Sequence, residues 1–127
     1  MANATRTVSH AGGECPDSAI ATGLLVSAST PAIEYIELGW VPSRIELINY
    51  NATNPLVYWW TKGMTSGNAY LNTGSTGVIT KVTGGPTVNE GGLKTVDGVA
   101  NTMTRPGFQI PAALQTDSHT WSWTAYR

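Results

Sequence analysis

The stretch that decides the fold is IEYIELGWVPSRIELINYNATNPLVYWW, which runs from Ile33 to Trp60. Its three runs of β-branched and aromatic residues are separated by Gly39, by Pro42 and by the NATNP cluster at 51–55. Branched and aromatic side chains pack well on a pleated surface, while Gly, Pro and Asn supply turns, so this pattern predicts three sequential strands. Because proline has no backbone N–H, we expect Pro42 at a bend between strands and not inside a paired strand.

Two stretches show the alternation of a strand that buries one face, and it is strict in the second. In 44–49 two aliphatic residues alternate with polar ones, and in 119–126 Trp121 and Trp123 share one face opposite Thr and Ser residues. This period-two patterning predicts a core-facing side and a water-facing side on each strand. With the short apolar runs at 56–60 and 107–110, it assigns six residues to the core: Ile45, Leu47, Trp59, Phe108, Trp121 and Trp123.

The run LVYWW at 56–60 is apolar on both faces, which indicates a strand that lies between two layers or is covered by another subunit. Trp59 and Trp60 are adjacent, so they point to opposite sides of a flat strand. With Trp59 taken as the inward ring, Trp60 belongs to a contact surface. The residues that we assign to this predicted interface are Cys15, Tyr58, Trp60 and Tyr70.

The composition favours a single all-β domain. A chain of 127 residues normally forms one domain and buries about two thirds of the surface that its unfolded form exposes. Only 12% of the residues are charged and 14 are glycine, a balance that suits many short strands and turns better than solvated helices. We therefore predict a single antiparallel β-sandwich or jelly-roll-like barrel at 18–127, preceded by a flexible N-terminal arm at 1–17.

Three segments are less regular. Residues 1–17 are small and polar without a sustained period, and we expect this arm to contact a neighbouring chain. Residues 18–29 read as one or two strands meeting at Gly23, with a helix over 18–26 as the alternative. Residues 61–77 are rich in Gly, Ser and Thr around the apolar island 69–71, and loops of this length in compact domains usually bind something.

The sequence offers little for catalysis, and we assign no catalytic residue, metal ligand or cofactor. His10 and Cys15 lack a third ligand at a recognised spacing. The run Asp117-Ser118-His119 contains triad residue types, but neighbours on a strand point to opposite faces and a triad is assembled from separated elements. Cys15 is the single cysteine, which excludes an internal disulfide.

Charge and hydropathy limit the partners. The formal net charge of −1 gives no electrostatic footprint for phosphate, so we expect neither nucleic acid nor an anionic membrane as a partner. No stretch approaches the roughly 20 apolar residues that span a bilayer. The N-terminal residues MANATR lack the apolar region of a secretory signal, which predicts synthesis in a cytoplasm.

Four motifs stand out in the sequence: LGWVPSRIELIN at 38–49, WWTKGM at 59–64, GFQIPA at 107–112 and WSWTAY at 121–126. Together they resemble motifs of a group of small tailed-phage virion proteins that includes capsid decoration and head-fibre-like proteins. They mark turns and strand faces, and the resemblance covers roughly residues 33–127. This chain departs from the group where Ser43 separates Pro42 from Arg44, residues that are usually adjacent there.

The resemblance implies a non-enzymatic structural component of a virion, made in the cytoplasm of a bacterial host. Its expected role is capsid decoration, cement or a short fibre, with capsid or tail proteins and copies of itself as partners. We expect a homo-oligomer, with a trimer favoured, because few charges and apolar residues on both strand faces suit an assembly subunit. The alternative is a carbohydrate-binding module that uses surface aromatic rings.

Overall fold

The computed structural model describes residues 5–10, 20–50, 55–65, 67–73, 77–82, 92–97, 105–115 and 119–127. Within these ranges the chain is almost entirely β, as predicted, with one short 3-10 helix at Ala112–Leu114. The strands are β1 (Thr5–His10), β2 (Ile20–Val26), β3 (Glu34–Glu37), β4 (Arg44–Asn49), β5 (Leu56–Thr61), β6 (Ala69–Thr73), β7 (Ile79–Val82), β8 (Lys94–Val96), β9 (Gly107–Ile110) and β10 (Thr120–Tyr126).

The strands form two antiparallel sheets. The large sheet has seven strands in the order β1-β2-β10-β4-β5-β6-β7, and the small sheet has three in the order β3-β9-β8. In the described ranges both sheets are open at their edges, so the sandwich is the one of the two predicted architectures that fits. Strand β10 is the third strand of the large sheet, an interior position in which it pairs with β2 on one side and with β4 on the other.

The core lies between the two sheets. Phe108 of the small sheet meets Trp123 of the large sheet edge to face, with ring centroids 5.4 Å apart and an interplanar angle of 75°. This geometry suits the opposite partial charges of a ring's edge and face. Five residues assigned to the core from sequence are buried in this cluster: Ile45, Leu47, Phe108, Trp121 and Trp123.

The chain passes from the small sheet to the large one through residues 38–43, which lie between β3 and β4. Pro42 lies outside both strands, as its chemistry predicted. The amides of Leu38 and Gly39 both donate to the carbonyl of Pro106 at 2.9 Å, which holds the start of the turn. Gly39 has φ of 89°, a conformation that glycine adopts without steric cost. Trp40 enters the core from this turn.

Three segments differ from the sequence predictions. The prediction of an arm at 1–17 is wrong for Thr5–His10. These residues pair with β2 and form an edge strand of the large sheet. An edge strand gains backbone hydrogen bonds without needing an apolar face. The sequence of this strand therefore has no hydrophobic periodicity from which it could be predicted. Residues 20–26 form one continuous strand through Gly23. The island at 69–71 is part of β6, and the possible strand at 99–103 lies outside the described residues.

Candidate functional site

The outer face of the large sheet carries several large apolar side chains where an exposed sheet face is normally polar. Residues that point away from the core include several large hydrophobic side chains with more than a third of their surface exposed: Ile20, Leu24, Val26, Tyr70 and Ile79. A half-buried antiparallel sheet usually alternates apolar residues inward with polar residues outward. A group of exposed apolar side chains on one face marks an interaction surface.

One line of outward side chains crosses six strands in register. The pairings place Leu24, Ser122, Ile48, Val57, Asn72 and Ile79 side by side on β2, β10, β4, β5, β6 and β7. We call this line the apolar row, because four of its six members are aliphatic. With strands about 4.8 Å apart, the apolar row is about 24 Å long. Its two ends are the most open, with Leu24 48% exposed and Ile79 58% exposed.

The neighbouring line of outward side chains is polar on β10 and β4 and aromatic on β5 and β6. Trp59 and Tyr70 are opposite each other in register, and their ring centroids lie 5.6 Å apart at an interplanar angle of 38°. Tyr70 is in turn opposite Lys81 on β7. The Trp59 and Tyr70 rings therefore form an aromatic pair on the outer face, with a cation beside it.

A pocket opens next to this aromatic pair, at the connection between β5 and β6. Its volume is about 230 Å³, and its wall is more polar than apolar. The residues that line it are Gly63, Met64, Thr65, Asn68, Tyr70 and Lys81. Since Tyr70 and Lys81 come from strands and the others from the connection, the pocket joins the sheet face to a loop.

Backbone hydrogen bonds fix the connection that forms the pocket. The Met64 amide donates to the Thr61 carbonyl at 3.0 Å, and the Asn68 amide donates to the Thr65 carbonyl at 3.1 Å. The indole Nε1 of Trp60 donates to the same Thr65 carbonyl at 3.2 Å, which ties the loop to a buried ring. A tight turn of this kind requires glycine at Gly63, whose φ is 104°.

A second segment supports the pocket from the side. The Gly67 amide donates to the Leu93 carbonyl at 2.9 Å, and the Leu93 amide donates to the Asn68 carbonyl at 3.1 Å. Gly92 packs so closely that a Cβ there would collide with the backbone of Asn68. The position of Asn68 in the pocket wall therefore depends on a glycine distant in sequence.

Lys81 is the one charged residue among the side chains that line the pocket. It lies on the exposed β7. The ion pair that Arg44 and Glu46 form on the outer face, with Nη2 and Oε1 3.2 Å apart, involves no residue that lines the pocket. The Tyr126 hydroxyl also donates to Glu46, at 3.3 Å. The pocket thus carries a positive charge that no lining carboxylate balances.

The structure corrects the interface and core assignments on β5. Tyr58 and Trp60, predicted to lie at an interface, are buried in the core opposite Leu47 and Ile45. Burial raises the pKa of the Tyr58 phenol above its usual value of 10.0. Trp59, predicted to lie in the core, is half-buried on the outer face. One ring of the adjacent tryptophans does point each way, as predicted, but the two are exchanged.

Of the remaining interface candidates, Tyr70 lies on the outer face and is 37% exposed, while Cys15 lies outside the described residues. Sequence reasoning missed Leu24, Ile79 and Lys81. Ile79 and Lys81 are two residues apart on β7, so both point to the outer face, and both are exposed. The available signal for the pocket was the WWTKGM motif, whose Gly-Met pair forms part of its wall.

In the part of the chain that the structure describes, no three His, Cys, Asp or Glu side chains come together as a metal site would require. His119 contacts Asn49, with the ring Nδ1 and the amide Nδ2 3.0 Å apart. Asp117, Ser118 and Cys15 lie outside the described residues, as does the side chain of His10.

Comparisons of the chain with protein-family models, with curated proteins and with solved structures give no match. Among the helical residues that the structure describes, none form a segment long and apolar enough to span a bilayer. The outer face of the large sheet and the pocket beside it are therefore the features from which a function is argued.

Proposed function

We propose that this protein is a non-enzymatic structural subunit that assembles with copies of itself through the outer face of the large sheet. The apolar row carries this proposal. Its aliphatic side chains, Leu24, Ile48, Val57 and Ile79, share one sheet face, and covering them removes apolar area from water at about 25 cal/mol per Å².

The shape of this face suits a sheet-on-sheet interface. Two open sheets pack about 10 Å apart when side chains from both faces interdigitate. The apolar row is about 24 Å long, and its exposed ends, Leu24 and Ile79, are accessible to a second copy. With only 12% charged residues, little of the surface needs to be desolvated at a high cost during assembly.

The assembly that we propose is a tailed-phage virion, where the protein acts as capsid decoration, cement or a short fibre. The support for this part is the resemblance of the motifs at 38–49, 59–64, 107–112 and 121–126 to those of small virion proteins. The proposed partners are copies of the chain, as a homo-oligomer with a trimer favoured, and capsid or tail proteins of the same particle.

Mutation of the apolar row tests self-assembly. We expect the wild-type protein to be oligomeric in sedimentation velocity, and Leu24→Glu or Ile79→Glu to weaken association at least about tenfold, because a buried carboxylate would be unpaired. Val41→Glu is the matched control, since Val41 is 40% exposed but lies in the turn between the sheets. Thermal unfolding checks that each variant is folded.

A wild-type protein that stays monomeric at high micromolar concentration would contradict the self-assembly proposal. So would a Val41→Glu variant that dissociates as readily as Leu24→Glu. The virion part is tested separately by mass spectrometry of purified phage particles, in which peptides of this chain are expected at a stoichiometry comparable with that of a capsid or tail protein.

A further inference from the structure

We propose that the pocket lined by Met64, Thr65, Asn68, Tyr70 and Lys81 binds a single sugar ring that bears a carboxylate, such as a uronic acid residue. This ligand goes beyond the proposed assembly role, because the pocket opens at the connection between β5 and β6, beside the apolar row and not within it. Tyr70 and Lys81 belong to the neighbouring line of the same outer face. Either proposal can fail while the other stands.

The size of the pocket limits the ligand. Pockets for drug-sized molecules usually enclose about 300–1,000 Å³. A cavity of about 230 Å³ that opens on the surface holds less, and one six-membered ring with its substituents matches this scale. A longer glycan chain would lie across the pocket with only one of its residues inside.

An aromatic platform is available at the pocket wall. The Tyr70 ring is 37% exposed, and Trp59 supports it at a centroid distance of 5.6 Å. A tyrosine ring combines an apolar face with a polar end, and a sugar ring likewise has a face of C–H groups and a rim of hydroxyls. Stacking the two faces removes apolar area from water while both polar edges keep their hydrogen bonds.

Polar groups surround this platform. The Thr65 hydroxyl, on an exposed residue, can both donate and accept hydrogen bonds, and Asn68 lines the pocket from a buried position. A Cβ placed on Gly63 would meet nothing within 4 Å, so the backbone at this glycine is open to a ligand. A hydroxyl-rich ligand can use such mixed donors and acceptors better than an apolar one.

The charge of the pocket selects among sugars. Lys81 places an ammonium group opposite Tyr70 in the sheet register, and no carboxylate lines the pocket. A lysine ammonium binds an anion as a compact point charge. Because Lys81 is exposed, its contribution is modest and falls as salt screens it. The expected ligand is therefore anionic, with its ring on Tyr70 and its carboxylate at Lys81.

The pocket is also preformed. Hydrogen bonds from the Trp60 indole to Thr65 and from Gly67 to Leu93 hold the loop without a ligand. A site that is already ordered loses little conformational entropy on binding, which favours affinity for a small ligand.

A titration followed by ¹⁵N–¹H NMR, with sodium glucuronate and glucose as probes, tests this proposal. We expect saturable shifts with glucuronate in the millimolar range, largest at the amides of Gly63, Met64, Thr65 and Asn68, and about fivefold weaker binding of glucose. Glucuronate binding should weaken as salt is added, whereas glucose binding should not.

Two variants and two matched controls separate the ring from the charge. Tyr70→Ala should abolish saturable binding of both sugars, and Lys81→Gln should reduce glucuronate binding to the level of glucose. Tyr50→Ala and Lys62→Gln change an exposed tyrosine and an exposed lysine that do not line the pocket, so they should bind like the wild type. Tyr70→Phe keeps the platform and should retain binding if Tyr70→Ala fails to fold.

Absence of saturable shifts, or shifts that cluster away from the pocket, would overturn the proposal. Equal affinity for glucose and glucuronate, or unchanged glucuronate binding by Lys81→Gln, would overturn the acidic-sugar assignment. Glucuronate binding by the Leu24→Glu variant should be at least as strong as that of the wild type, which distinguishes loss of the pocket from loss of assembly.

Discussion

The two faces of the large sheet carry similar residues in different surroundings. On the inner face Trp121 and Trp123 are fully buried against the small sheet, while on the outer face Trp59 is only half-buried beside Tyr70. The inner rings hold the two layers of the domain together. The outer rings have no described layer opposite them. Apolar composition therefore predicts where the sheets are, but it does not distinguish residues of the core from residues of a recognition surface.

The largest expected effect distinguishes the tryptophans of the two faces. Trp123→Ala removes an indole that is 1% exposed and in contact with Phe108, and we expect the free energy of unfolding to fall by about 3–5 kcal/mol. Trp59→Ala should cost much less, since part of its ring already meets water. Chemical denaturation of both variants provides the measurement, and equal losses would contradict the comparison.

If Trp123→Ala does not fold, Trp123→Phe provides a milder change at the same position. The Trp123 indole N–H has no hydrogen-bond partner among the described residues, so phenylalanine loses ring area but no hydrogen bond seen there. Trp123→Phe should therefore be folded and lie between the wild type and Trp123→Ala in stability.

A smaller effect concerns the buried phenol of Tyr58 on the inner face. Burial disfavours the phenolate and raises the pKa of Tyr58 above 10.0 in the folded state. As pH rises, the unfolded chain therefore loses this proton at a lower pH than the folded protein does. The contribution of the protonated Tyr58 phenol to stability is complete below pH 10.0, and it is lost as pH rises through the raised pKa of the folded state. Stability should fall in this alkaline range, and Tyr58→Phe should remove part of the fall.

Denaturant unfolding at about pH 8 and about pH 11 measures this alkaline effect. Tyr50→Phe is the control, because the Tyr50 side chain is largely exposed and should leave the fall in place. An alkaline fall of the same size in Tyr58→Phe and in the wild type would show that Tyr58 is not its source.

The smallest effect concerns the ion pair on the outer face. The Arg44 and Glu46 side chains are 46% and 31% exposed, and such pairs contribute about 0–1 kcal/mol. Glu46→Gln keeps an oxygen that can accept from Tyr126, so the free energy of unfolding should change by less than about 1 kcal/mol. A larger loss of unfolding free energy, in thermal or denaturant unfolding, would mean that side chains on the outer face are held more rigidly than the comparison of the two faces implies.

The sequence predicted the fold where alternation was strict. On β10 every second residue is polar, so the inward side of Trp121 and Trp123 could be read directly. On β5 both faces are apolar, so the local sequence does not indicate whether Trp59 or Trp60 points into the core. The answer lies in the pairing, which puts Trp60 opposite Ile45 and so on the inward side of β4.

The candidate site was harder to predict because its parts come from separate elements. Tyr70 was assigned to a surface, but Lys81 becomes its neighbour only through the register of β6 with β7. Gly92 reaches Asn68 through close backbone packing that no spacing rule reveals. The apolar row likewise exists only after six strands are aligned, since its members are scattered along the chain.

The interior position of β10 has a further consequence for folding kinetics. Strands β4 to β7 form a local meander and β1 pairs with β2, but the sheet order leaves β10 as the strand that joins these two halves. Glu46 and Tyr126, hydrogen bonded in the finished sheet, are 80 residues apart. Closing such a long loop costs chain entropy before any pairing compensates, so we expect the halves to form first and to merge slowly. Until then β2 and β4 expose unpaired edges. Refolding at high protein concentration should therefore favour association between partly folded chains.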